Sequence, residues 1–138
     1  MKWKTLEAVQ KGITDYDFAY DILFFKVKDR EYDYSIELDD LVIDLDTEGF
    51  IIGIQIFEAS KFLSTRFKKF TKSNLKNKIN WMYSAKINYE ERKIDIILEY
   101  TIFIRNKRFI EHPRIIERLP DEFSEGISNT KVVCEVMA

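Results

Sequence analysis

The chain is short of the residues that interrupt, cross-link and catalyse. Its 138 residues include four glycines, two prolines, one cysteine and one histidine. So few backbone breakers leave little room for long irregular loops. The lone cysteine, Cys134, excludes an intramolecular disulfide and points to a reducing, cytoplasmic setting. It sits in an apolar stretch, where a buried structural thiol is expected. The lone histidine, His112, precedes Pro113 in an expected surface turn, a solvated or structural position. No apolar run approaches the roughly 20 residues that span a bilayer. Met1-Lys-Trp-Lys-Thr-Leu-Glu7 has no apolar signal core, so neither membrane insertion nor secretion is expected. Phosphate loop, dinucleotide fingerprint, nucleophile elbow and zinc-ligand spacing are all missing. No catalytic residue and no cofactor is therefore assigned, and the expectation is a protein that is not an enzyme.

What is present is apolar and charged. Hydrophobic residues make up 46% and aromatics 14%, ample for a core and against disorder. A length of 138 residues fits one domain. The net charge of −2 conceals a segregation. Residues 15–58 hold thirteen acids against three bases, a net of −10, and residues 61–118 hold fifteen bases against six acids, a net of +9. A chain divided in this way can pair with itself, within one molecule or head to tail between copies.

Hydropathy patterning sets the expected elements. Thr5 can cap a short helix, Leu6 to Lys11, that Gly12 ends. Asp21 to Lys28 reads as a strand and Asp29 to Ser35 as a polar connection. Leu41 to Asp46 and Phe50 to Phe57 read as strands joined by Thr47-Glu48-Gly49, with Gly49 supplying the positive φ of a tight turn. Gly53, inside the second strand, marks a bulge or a close backbone approach. Ala59, Phe62, Leu63, Phe67 and Phe70 share one helical face, which predicts a helix over about 59–70. Trp81 to Tyr89 and Ile94 to Ile104 alternate with period two, joined by Glu90-Glu91-Arg92-Lys93. Arg114 to Leu119, between the prolines, reads as a helical turn, and Lys131 to Met137 as a final strand. The expected fold class is α+β: one compact unit with a mostly antiparallel sheet and the 59–70 helix packed on one face. Residues 79–138 would add strands to that sheet.

The pattern Tyr16-Asp17, Asp21-Ile-Leu-Phe-Phe25, Val42-Ile-Asp-Leu-Asp46, Gly49, Gly53-Ile-Gln-Ile56 and Ala59-Ser-Lys-Phe-Leu63 resembles a family of small prokaryotic proteins catalogued as domain of unknown function 2283. The resemblance covers about residues 13–63. Gln55 stands where that family usually has Glu, and Phe18-Ala19-Tyr20 replaces a Pro-rich turn. The resemblance implies a strand-hairpin-helix module with no established activity. It also implies a binding role, as the partner of a small toxin-like protein.

Three functional readings follow. The leading one is a non-catalytic protein-interaction module, a homodimer joined by unpaired strand edges or by a shared sheet face carrying Ile97 and Phe103. The second is nucleic-acid binding through the basic run of residues 61–78, with Lys61, Arg66, Lys68, Lys69, Lys72, Lys76 and Lys78 contacting phosphates or an acidic partner. Against it stand the phenylalanines committed to the helix face and a pI near 5.5. The third is a metal-dependent enzyme built on the acidic hairpin. Asp44, Asp46 and Glu48 before Gly49 match the start of a calcium loop. Gln55 falls where such a loop needs a bidentate Glu, so the hairpin reading is preferred and no metal is assigned.

Overall fold

The computed structural model describes residues 10–39, 41–66, 75, 81–120, 127 and 129–136. Their strands run β1 (Gln10–Asp17), β2 (Ile22–Val27), β3 (Tyr32–Glu37), β4 (Leu41–Asp46), β5 (Ile51–Ile56), β6 (Trp81–Asn88), β7 (Lys93–Ile104), β8 (Lys107–Glu111), β9 (Arg114–Arg118) and β10 (Thr130–Val136). One helix, α1 (Ala59–Arg66), follows β5. All the strands join one sheet, ordered β3-β4-β5-β2-β1-β10-β6-β7-β8, with β9 also on β7. Every pairing is antiparallel except β1 with β10.

The α+β expectation, with a helix over about 59–70 packed on the sheet, is overturned. Strands make up 65% of the described residues and helix 8%, in a ten-stranded sheet. The described helix is two turns long, and residues 67–70 lie outside the described part. Three local expectations change with it. Gln10 and Lys11, assigned to a helix, open strand β1, and Gly12 is a packing slot, not a helix end. A Cβ there would lie 2.8 Å from the Lys26 carbonyl and 2.9 Å from Val132 Cγ1, so only glycine lets β2 and β10 flank β1 this closely. Tyr32 to Ser35, read as connection, lie in β3, and the supposed helical turn after Pro113 is β9. In each case sheet pairing overrides weak local preference, as strand propensity depends on context.

The sheet buries one face. Leu23, Phe25 and Val27 of β2, Ile43 and Leu45 of β4, and Ile54 and Ile56 of β5 share a core with Trp81, Tyr83 and Ala85 of β6 and Ile94, Ile96 and Leu98 of β7. Ala59, Phe62 and Leu63 of α1 join them. The sheet is strongly curled. In a flat sheet β6 would lie four strand spacings from β5, about 19 Å. Yet the Tyr83 hydroxyl donates to the Ile51 carbonyl at 2.9 Å, and the Ile51 N–H donates to Thr130 Oγ1 at 3.0 Å. The register of β4 and β5 shifts between Asp44 and Leu45, where Ile52 is the extra residue. Ile51, just beyond this bulge, thus finds its partners across the curled core. The bulge expected near Gly53 is present.

Turn chemistry agrees with the hairpins. Gly49 takes φ 86°, and its N–H bonds the Asp46 carbonyl at 3.1 Å. Arg105 and Asn106, both at positive φ, make the two-residue turn between β7 and β8. β8 and β9 continue a single register along β7: Tyr100 faces Glu111 and Ile97 faces Arg114. Between them the Leu98 N–H still donates to the Pro113 carbonyl at 2.9 Å. Residues 107–118 therefore form one long edge, from which Pro113 removes a single donor.

Candidate functional site

The acidic hairpin is built into the fold. Asp46 is 2% exposed and closes its own turn: Oδ1 accepts the N–H groups of Glu48 and Phe50, each at 2.9 Å. Its Oδ2 accepts Arg30 Nε at 2.7 Å. Arg30 also reaches Glu48 at 3.1 Å and lies 5.0 Å from the Phe50 ring centre. Arg30 belongs to the connection from β2 to β3, which must cross the end of the β4–β5 hairpin because β2 pairs with β5 while β3 pairs with β4. The Thr47 N–H, bonded to the Glu31 carbonyl at 3.2 Å, fastens the same crossing. Asp44 lies on the outer face. Its Oδ1 accepts the Ser35 hydroxyl at 2.6 Å, and Ser35 Oγ is 2.7 Å from the Tyr32 hydroxyl. Among the described residues no three His, Cys, Asp or Glu side chains gather as a metal cage.

The other recurrent residues of the module also hold backbone. Asp21, at φ 55°, ends the β1–β2 loop and caps α1: it accepts the Ser60 N–H at 3.0 Å and the Ser60 hydroxyl at 2.7 Å. Tyr16 donates to the same carboxylate at 2.5 Å, and burial together with this bond pushes the phenol pKa up. Asp17 accepts the Tyr20 N–H at 3.1 Å within the loop. Tyr16, Asp21 and Ser60 thus tie β1, its loop and the helix into one unit.

With that geometry in place the comparisons become readable. A model of the family described as protein of unknown function (DUF2283) matches residues 13–60. A curated protein of Methanosarcina mazei is 33% identical over 93 residues, 67% of this chain and 70% of that protein. The chain belongs to the DUF2283 family. The relative carries the provisional name hypoxanthine phosphoribosyltransferase, and that name is said of the relative. No solved structure matches the chain. The family resemblance drawn from Tyr16, Asp21, Asp44, Asp46, Gly49, Gly53 and Ser60 is borne out over that segment.

The DUF2283 segment carries a groove on its outer face. The groove has a volume of about 590 Å³, and its polar lining is Asp15, Lys26, Arg30, Tyr32, Asp44 and Gln55 over Phe24 and Ile13. One outward row runs Ile13, Lys26, Gly53, Asp44, Ser35 across four pairings. A Cβ on Gly53 would stand 2.6 Å from Asp44 Oδ2, so the carboxylate leans into the space that glycine leaves. Sequence reasoning singled out Asp44, Gly53 and Gln55 but missed Lys26 and Tyr32, because only the strand order sets them side by side.

The remaining named residues are dispersed. Lys61 is exposed on α1, and Arg66 ends it. Lys68, Lys69, Lys72, Lys76 and Lys78 lie outside the described residues. Ile97 is half-buried on β7 opposite Arg114, and Phe103 faces Arg108 along the same strand. His112 Nδ1 is 3.5 Å from Glu99 on the exposed side. Cys134 is fully buried, and burial pushes its thiol up to about 12.

Among the described residues the sheet ends, beyond β7, in the 107–118 edge. The bonds at Pro113 and at Leu119, whose N–H donates to Arg92, turn the odd-numbered residues' backbone groups toward β7. Arg108, Ile110, His112, Arg114, Ile116 and Arg118 therefore direct N–H and C=O outward. All six side chains are exposed, Ile110 at 45% and Ile116 at 54%. Pro113, turned inward, does not guard this edge.

Proposed function

We propose that the chain is a non-catalytic interaction module that associates with further copies of itself by strand addition, its basic edge meeting the acidic β3 edge of the next copy. The observation that carries this reading is the edge of residues 108–118, which no further strand covers among the described residues. It presents six regularly spaced backbone donors and acceptors, two exposed isoleucines and no outward proline. The opposite end of the sheet is β3, where residues 29–39 hold five acids against Arg30, itself committed to Asp46 and Glu48. Residues 105–118 hold five bases against two acids, with Arg114 committed to Asp95. Two basic edges would set like charges opposite one another, which disfavours a two-fold dimer through this strand. An acidic strand meeting a basic one has no such cost, and the contact is head to tail.

Sedimentation over a range of concentrations tests this. The expected mass exceeds the 16.5 kDa of one chain and falls with added salt. Reversing the basic edge (Arg108→Glu with Arg118→Glu) or the acidic edge (Asp33→Lys with Glu37→Lys) should each give monomers. Mixing the two variants should restore association, because the mixture regains one complementary pair of edges. Ile116→Pro removes an outward N–H while keeping the β7 bonds, and should also give monomers. A parent chain that stays monomeric throughout, or edge variants that associate as the parent does, overturns the proposal.

A further inference from the structure

The groove over Gly53 has the makings of a small-molecule site separate from the basic edge. Three of its polar groups are placed and unspent. Lys26 is exposed and makes no ion pair among the described residues. Gln55 is half-buried on the neighbouring row. Asp44 Oδ1 is held by Ser35, itself bonded to Tyr32, while Oδ2 faces the space above Gly53. Lys26 and Asp44 stand in one cross-strand row with only Gly53 between them. Two strand spacings separate their backbones, about 9.6 Å, and their charged ends do not meet within salt-bridge distance. The opening thus has the Lys26 ammonium on one side with Asp15 diagonally beside it, a pre-oriented Asp44 carboxylate on the other, and apolar surface from Phe24 and Ile13 beneath.

We propose that this groove binds a free α-amino acid with an apolar side chain. Its carboxylate would sit on Lys26, its ammonium on Asp44 Oδ2, and its side chain on Phe24 and Ile13. The two opposite charges over an apolar floor select this class, because a free α-amino acid carries both an ammonium and a carboxylate. A ligand with one charge leaves the other wall unpaired. A volume of about 590 Å³ admits a large apolar side chain.

The test is titration of the full chain with L-leucine, followed by amide chemical shifts and calorimetry. 4-Methylpentanoate, which lacks the ammonium, and isoamylamine, which lacks the carboxylate, serve as controls. L-leucine is expected to bind saturably, with both controls at least about tenfold weaker. Lys26→Met, at an exposed position, should weaken L-leucine about tenfold or more, and Asp44→Asn should do the same. Absence of saturable shifts up to about 10 mM L-leucine overturns the proposal. So does 4-methylpentanoate binding as tightly as leucine, or binding that Lys26→Met leaves unchanged. The basic-edge variants at Arg108, Ile116 and Arg118 lie outside the groove lining, so their loss of self-association and failure of this site are read separately.

Discussion

Replacing Asp46 with alanine is the sharpest test of how the DUF2283 module is held together. The change removes three charge-assisted acceptor contacts: two to backbone N–H groups at 2.9 Å and one to Arg30 at 2.7 Å. The Phe50 N–H is left buried without its side-chain acceptor, and Arg30 keeps only Glu48. Removing one partner of a buried pair costs about 3–5 kcal/mol. Arg30 is 22% exposed and water can partly replace its partner, so the low end applies, about 3 kcal/mol. Small proteins have about 5–15 kcal/mol in total, so the loss is a large fraction. With a urea slope of about 1–3 kcal/mol per molar, the midpoint should fall by about 1–3 M. Trp81, buried beside Phe25 and Tyr100, reports the transition by fluorescence. Arg30→Met alone should cost about 1–2 kcal/mol, and the double variant less than the two single losses combined, with a coupling of at least about 1 kcal/mol. A loss below about 0.5 kcal/mol for Asp46→Ala would refute the reasoning. A fall in the parent's midpoint on adding a chelator would instead return Asp46 to the role of metal ligand.

Two further outcomes follow from the same contacts. Asp21→Ala strips the cap from α1 and the acceptor from Tyr16, and should cost about 2 kcal/mol in the same urea assay. Ser60→Ala should cost less, because Asp21 keeps the backbone N–H. Cys134 should resist alkylation in the native state and react only on unfolding. Its thiol is pushed up to about 12 by burial, whereas an unfolded thiol ionises near 8.5. Between these values the unfolded chain binds fewer protons, so stability falls as pH rises, by up to about 1.4 kcal/mol per unit. Cys134→Ser should flatten that alkaline limb, and an unchanged slope would count against this cause.

Some of this architecture was legible in the residue order. Asp46, Thr47, Glu48 and Gly49 specify a turn by their own chemistry, and a strand follows on each side. The alternation from Trp81 to Tyr100 specifies strands with one buried face. The recurrent residues from Tyr16 to Ser60 name the DUF2283 family. These features are local: a positive φ, a period of two, a spacing. The expected helix-on-sheet fold failed because the helical face of Phe62 and Leu63 is equally local, and says nothing of how much sheet surrounds it. β3 and β9 escaped detection because their polar outward residues dilute the apolar pattern, and only pairing to β4 and β7 makes them strands.

The candidate sites were less legible still. Thirteen acids in residues 15–58 and fifteen bases in residues 61–118 could be counted, but the count could not say which were spent inside the fold. Residue order by itself determined the hairpins, the family and the charge division, because each depends on neighbours in the chain. Tertiary structure alone decided that Asp46 holds the β2–β3 crossing, that Lys26 faces Asp44 across Gly53, and that residues 107–118 form one open basic edge. Those relations depend on which strands lie side by side, and strand order follows from burying the curled sheet's inner face, a property of the whole chain.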